Sequence, residues 1–241
     1  MPQLALIRHG QSEWNLQNRF TGWVDVDLTE EGVRQAERAG ALLAEAGFKP
    51  SHAYTSMLKR AIKTLNFTLE SLDRLWIPVE KSWRLNERHY GALAGHDKDE
   101  TRAKHGAEQV KTWRRSFDIP PPALPETHEY HPFNDERYAS VPRELLPASE
   151  SLKSTLDRVE PYWNAEIAPH LTRGETIAVA AHGNSLRALV KLLFKVDDDD
   201  IVSIEIPTGN PLLIDLDEDG MTPIAARYLD ADRATEIPPL P

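Results

Sequence analysis

Two short stretches carry the residues best suited to chemistry. Arg8-His9-Gly10-Gln11-Ser12 and Ala181-His182-Gly183-Asn184-Ser185 both set His-Gly-polar-Ser directly after an apolar run. An imidazole at the tip of a buried strand is a nucleophile or proton carrier, and the glycine beside it lets a ligand come close. One such histidine alone reads as a structural residue; the duplication points to a shared site. A histidine pair can also bind a first-row metal, but such a site wants a third ligand, commonly carboxylate or thiolate. The companions are instead cationic: Arg8 adjoins His9, Arg60 opens a helix, and Arg187 follows His182 by five positions. Guanidinium groups repel a dication and match the geometry of phosphate. The pattern therefore predicts phosphoryl transfer through histidine. A neutral imidazole nitrogen attacks phosphorus and leaves again as a phosphoramidate. Arginines and a second, protonated imidazole stabilise the charge on the equatorial oxygens, so no metal is required.

The two histidines meet only if their strands are neighbours. Residues 4–7 read as a short buried strand. Thr29 reads as the N-cap of a helix with Glu30 and Glu31 in its first turn, Val33, Ala36, Leu43 and Ala44 at helical spacing, and Gly47 at its end. A strand over 52–55 and an amphipathic helix carrying Arg60 repeat the plan. A third strand then leads into a helix whose Leu186, Leu189, Val190, Leu193 and Phe194 share one face. Alternating strands and helices predict a three-layer α/β/α fold with a mostly parallel central sheet, whose ligands bind beyond the carboxyl ends of the strands. Val202, Ile204 and Ile206 alternate with polar residues, and Pro207 to Pro211 turn the chain into Leu212, Ile214 and Leu216. This predicts a hairpin and one antiparallel edge strand. Between about 84 and 150 the periodicity dissolves, and seven of the 18 prolines fall between Pro120 and Pro147. Such a stretch predicts a lid insertion within one domain spanning 1–241.

Composition bounds the rest. With 28 Lys+Arg against 38 Asp+Glu the net charge is −10, which opposes a nucleic-acid partner. The absence of cysteine removes disulfides, thiolate metal sites and thiol nucleophiles. No stretch resembles a signal peptide or a spanning helix, so a cytoplasmic location and no membrane partner are expected. His128 and His131 read as part of a solvated lid, Asp197 to Asp200 as a solvated helix start, Pro120 to Pro122 as a stiff segment, and Trp14 and Trp23 as packing residues.

The block LIRHGQSEWNLQNRFTGWVDVDLTEEG at 6–32 resembles the histidine phosphatase superfamily. KRAI, LNERHYGALAG, WRRSFD and AAHGNSLRALVK narrow the resemblance to the cofactor-dependent phosphoglycerate mutases, over about residues 4 to 230. The resemblance implies that His9 becomes phosphohistidine, primed by 2,3-bisphosphoglycerate, with Arg8, Arg60 and His182 around the phosphoryl group. Glu87 would be the general acid and base, as a proton acceptor in a cationic pocket must be. Ser12, Asn15, Thr21, Gly22, Gly183 and Asn184 would bind phosphate and substrate. Tyr90, Lys98, Arg114 and Arg115 would hold the substrate carboxylate or second phosphate. Arg114 and Arg115 are adjacent, hence about 100° apart on a helix, and converge only if the chain bends.

The same resemblance implies phosphorylated small-molecule substrates, no metal, and a homo-oligomer, dimer or tetramer. A plain phosphatase would share the core site, whereas a catalytically silent scaffold would not keep both histidines, Glu87 and the arginines. No lysine follows Lys195, where many family members carry a basic tail, which predicts more hydrolytic leakage from the phosphoenzyme.

Overall fold

Four apolar residues in a row leave no water-facing side, and Gln3–Arg8 forms a strand, β1, buried on both faces in the computed structural model, which describes residues 1–241. Ser12 caps the single-turn helix α1 (Glu13–Leu16), and the Thr29 hydroxyl accepts the Gly32 N–H to start α2 (Glu30–Glu45). Gly47, at φ +73°, closes α2 as expected. Next come β2 (His52–Thr55), α3 (Lys59–Ser71) and β3 (Val79–Lys81). The middle of the chain holds α4 (Lys98–His105) and α5 (Ala107–Arg115) among short 3₁₀ turns. Then follow α6 (Leu152–Tyr162), α7 (Ala168–Thr172), β4 (Ile177–Ala181), α8 (Gly183–Phe194), β5 (Leu212–Leu216) and β6 (Pro223–Tyr228).

The sheet order is β3-β2-β4-β1-β5-β6. β1 lies parallel to β4, with Leu4 opposite Ile177 and Arg8 opposite Ala181, so both histidines leave the same end of adjacent strands. Alternate strand residues face two different cores. Leu4, Leu6, Tyr54, Ile177, Val179 and Leu212 pack with α6 and α8. Ala5, Ile7, Ala53, Ala178 and Ala180 pack with Ala39 and Leu43 of α2 and Leu65 and Leu69 of α3. The predicted three-layer architecture is the observed one. β5 alone runs against the others, and β6 pairs antiparallel to it at the edge.

The hairpin departs from expectation. Residues 202 to 206 form no strand: Asp200–Val202 is a 3₁₀ turn, and Ile201, Ile204 and Ile206 are buried against the α6–α8 core without ladder partners. The hairpin is β5–β6, closed where Asp217 N–H donates to the Thr222 carbonyl. The stretch from 84 to 150 is also more ordered than its pattern suggests, because 98–105 and 107–115 are helical. Asp97 caps the first of these by accepting from the Asp99 and Glu100 amides.

Two glycines bring the loop after His9 against α2. A Cβ on Gly10 would stand 2.1 Å from the Gly32 carbonyl oxygen, and one on Gly32 would stand 2.1 Å from that of Gln11. Backbone meets backbone at both points, so neither side can yield cheaply. Gly32→Ala should therefore cost about 1–3 kcal/mol, lowering the thermal midpoint by roughly 3–10 °C. Calorimetry checks this; a midpoint unchanged within about 1 °C would refute the close approach.

Candidate active site

The β1–β4 register sets the two imidazoles side by side: the His9 amide donates to the Ala181 carbonyl at 2.9 Å, and the rings lie 5.0 Å apart, tilted by 58°. The tautomer of His9 follows from its neighbours. Nδ1 is 2.7 Å from the Gly10 carbonyl, which can only accept, so Nδ1 carries the proton. Nε2 receives Arg60 Nε at 3.4 Å, and a guanidinium can only donate, so Nε2 keeps its lone pair. Burial, then the charges of Arg60 and Arg8, hold the His9 pKa well below its ordinary 6.5. The ring is thus neutral at physiological pH, with a lone pair on Nε2.

His182 is shifted the same way, by burial and then by Arg60 and His9, so it is neutral and not the protonated partner that the sequence pattern suggests. Its Nε2 lies 2.8 Å from Ser56 Oγ, while its buried Nδ1 has no partner. Arg60 is rigid because its other nitrogens donate to the Val24 and Gly22 carbonyls at 2.9 and 2.7 Å. Gly22, at φ +58°, occupies backbone space that a side chain would strain. Arg8 is anchored by Nη1 on the Ile206 carbonyl at 2.8 Å, with Nε buried and unpartnered.

Glu87 stands across from these cations. Its Oε1 accepts the Arg88 and Asn184 amides at 2.8 and 3.0 Å, which leaves Oε2 free of hydrogen bonds. The backbone that carries it is clamped by Arg158, whose Nη2 donates to the Asn86 and Glu87 carbonyls at 3.0 Å while its fork holds buried Glu150. A Cβ on Gly183 would stand 3.5 Å from Arg8 Nε and 3.6 Å from Glu87 Oε2, so the glycine keeps the space between acid and cation open.

Two cavities with four lining residues in common open on this centre. One of about 110 Å³ is lined by His9, Asn15, Arg19, Thr21, Gly22, Arg60 and Lys98; another of about 210 Å³ by Arg115, Gly183, Asn184, Arg187 and Glu205. Arg8, Glu87, Tyr90 and Arg114 border both. Seven cations (Arg8, Arg19, Arg60, Lys98, Arg114, Arg115 and Arg187) thus face two carboxylates, Glu87 and Glu205, in a chain of net charge −10. Burial would raise the Tyr90 phenol, but the Arg88 guanidinium beside it outweighs this and holds its pKa below the ordinary value.

The expected residues converge, and all of them line a cavity except Ser12 and His182, which is wholly buried against His9. Ser12 is buried away from the cavities, where its hydroxyl caps α1 by accepting the Asn15 amide at 3.2 Å. Arg114 and Arg115, at the last turn of α5, do border one mouth, but Arg115 is paired with Glu205. Arg19, Arg88, Ser56 and Glu205 had not been expected. Arg88 adjoins Glu87 within the block that signalled the acid, whereas Glu205 carries no signal because it lies on the misread strand.

The pair of imidazoles inside a guanidinium cage, at the carboxyl end of a parallel sheet, is suited to a phosphate group. Residues 4–132 and 125–227 match the histidine phosphatase superfamily, branch 1, and the chain belongs to that superfamily. Within it, the chain is a member of the 2,3-bisphosphoglycerate-dependent phosphoglycerate mutase family. It is 78% identical over its whole length to the protein of that name from Maricaulis maris (strain MCS10), covering 99% of it. It is 58% identical to the one from Caulobacter vibrioides (strain NA1000 / CB15N), over 99% of both chains. Among solved structures, Bacillus stearothermophilus YhfR superposes with a TM-score of 0.69 at 22% identity over 98% of each chain. Mycobacterial glucosyl-3-phosphoglycerate phosphatase Rv2419c, complexed with VO3, gives 0.67 at 21% identity over 95% of this chain and 97% of that one. These two likenesses concern the fold.

Burial also leads the causes that hold the pKa of His89, down to about 3, and of His131 below 6.5. With His9 and His182, four imidazoles are therefore neutral in the folded chain where the unfolded chain would take up protons. The unfolded state binds more protons below pH 6.5, so stability is full above that value and is lost as pH falls toward the folded-state values. His89→Asn keeps an acceptor for the Gly91 amide and removes one titrating group. Urea midpoints measured at about pH 7 and about pH 4.5 should converge in this variant relative to the parent; an equal loss would refute the assignment.

Proposed function

We propose that the chain interconverts 3-phosphoglycerate and 2-phosphoglycerate, in glycolysis and gluconeogenesis, through phosphohistidine at His9. The observation that carries this reading is the fixed tautomer of His9, whose Nε2 lone pair faces Arg60 in a cationic cavity. The close relatives carry the corresponding name over their full length. The donor set also suits a bisphosphorylated acid, because Arg8 Nε, His182 Nδ1 and Arg187 Nε are buried without acceptors. 2,3-Bisphosphoglycerate supplies the phosphoryl group that charges the enzyme.

His9 Nε2 attacks phosphorus, and the N–P bond forms as the P–O ester bond breaks. Glu87, which has taken a proton from a substrate hydroxyl in the other half-reaction, gives that proton to the departing oxygen and becomes a carboxylate again. In return transfer that carboxylate takes a proton from a substrate hydroxyl, whose oxygen attacks phosphorus. The N–P bond then breaks and Nε2 recovers its lone pair. Arg8, Arg60 and His182 Nδ1 stabilise the equatorial oxygens, and the polarity of the cage does the work without a metal. Arg114, Arg115, Lys98, Tyr90 and Asn184 hold the carboxylate and distal phosphate; Asn15, Thr21, Gly22 and Gly183 complete the cradle. Ser12 acts on the site through Asn15. Residues 84–150 form a lid that favours transfer over hydrolysis by excluding water. The reading carries with it a cytoplasmic location and a dimer or tetramer; no helix of the chain is long and apolar enough to cross a membrane.

Incubation with labelled 2,3-bisphosphoglycerate should leave acid-labile phosphate on His9, and turnover should be unchanged by EDTA. His9→Ala should lower kcat by at least about 10³-fold, and Glu87→Gln by about 10²–10⁴-fold. Activity lost on chelation, or surviving His9→Ala, would overturn the mechanism. Phosphate release outrunning isomerisation would make the chain a hydrolase.

A further inference from the structure

At the far end of the sheet, three side chains outside the phosphoryl-transfer machinery point at one another. His52 opens β2, His170 sits in α7, and Glu175 lies in the turn that enters β4. The rings of His52 and His170 are 4.2 Å apart, and their Nδ1 atoms lie 3.0 and 2.9 Å from the same carboxylate oxygen, Glu175 Oε2. All three donor atoms fall within 4.8 Å of one another, and each residue is partly exposed, so an ion can enter from solvent.

Protons satisfy this arrangement poorly. His170 Nδ1 faces the carboxylate, which needs a proton on that nitrogen, and also the Arg173 Nη2 at 2.9 Å, which needs a lone pair there. One nitrogen cannot meet both demands. A divalent cation can, taking the Nδ1 lone pairs of both rings while each neutral ring keeps its proton on Nε2. Arg173 is 55% exposed and free to swing from the ring while its Nε keeps Glu175 Oε1 at 2.9 Å. Glu175 Oε2 also accepts the Ser51 hydroxyl at 3.1 Å, which holds the carboxylate toward both rings.

We propose that His52, His170 and Glu175 bind one divalent cation of the zinc class, with water completing the coordination. Two imidazoles and a carboxylate favour zinc over magnesium or calcium, which prefer all-oxygen sets. The site is structural. It ties α7 and the turn before β4 to the start of β2, about 16 Å along β4 from His182.

The test is zinc binding to the full chain after EDTA treatment and dialysis, followed by calorimetric titration. One equivalent per chain should bind in the parent and in His9→Ala, and should be lost in His170→Ala. Saturating zinc should raise the thermal midpoint of the first two by on the order of 5 °C and leave the third unmoved, while metal-free His170→Ala keeps full mutase turnover. Should that variant fail to fold, Glu175→Gln, which preserves the shape of the side chain, should weaken binding at least about 10-fold. Absence of a saturable equivalent, its persistence in both variants, or its loss on His9→Ala would overturn the proposal.

Discussion

The site depends on a single pairing, the parallel ladder between β1 and β4. That register sets Arg8 beside Ala181 and joins the His9 amide to the Ala181 carbonyl, so each strand delivers its imidazole at the same height. A slip of one residue would turn His9 toward the opposite layer. The slip is opposed on both faces, because alternate residues of β1 and β4 enter two separate cores and neither face tolerates polar side chains. The chemistry is therefore fixed by hydrophobic burial on either side of a strand whose charge is confined to its last residue, Arg8.

An acidic chain assembles a cationic pocket by spending backbone carbonyls on its arginines. Arg60 donates to Val24 and Gly22, Arg8 to Ile206, Arg88 to Arg114, and Arg187 to Ile201. Carbonyls orient a guanidinium without neutralising it, whereas carboxylate partners would cancel the charge that an anionic ligand needs. Arg115, paired with Glu205 at the mouth, is the exception among the cavity arginines. The same burial that preserves the cationic field keeps both histidines neutral, which suits a nucleophile and disfavours folding in acid.

The strands and helices that build the site were readable because each buries a full face. β1, β4 and α8 are almost wholly buried, and α2 and α3 have continuous apolar stripes. Most elements without a sequence signal lack this property; α6 is different, burying Leu152, Thr155, Arg158 and Val159 but carrying Pro161 inside its helical pattern. β3 is exposed at all three residues, α4 and α5 bury one residue each, and β6 buries only its two ends. The misread strand at 202 to 206 shows the converse. Ile204 and Ile206 alternate as strand residues do, yet they are buried beneath the α6–α8 core with no ladder to join. Ser12 shows that a polar residue inside a functional motif can act entirely through the backbone, since its hydroxyl is used in capping α1.

The reversed strand β5 has a consequence for how the molecule comes into being. Leu4 pairs with Ile214 on one side and with Ile177 on the other, so β1 finds its neighbours only after residues 177–216 have been made. Until then its apolar edges stand open on the ribosome-bound chain, with no local partner to shield them. The nascent protein accordingly holds β1 unpaired until β4 follows it, and the two imidazoles meet only then.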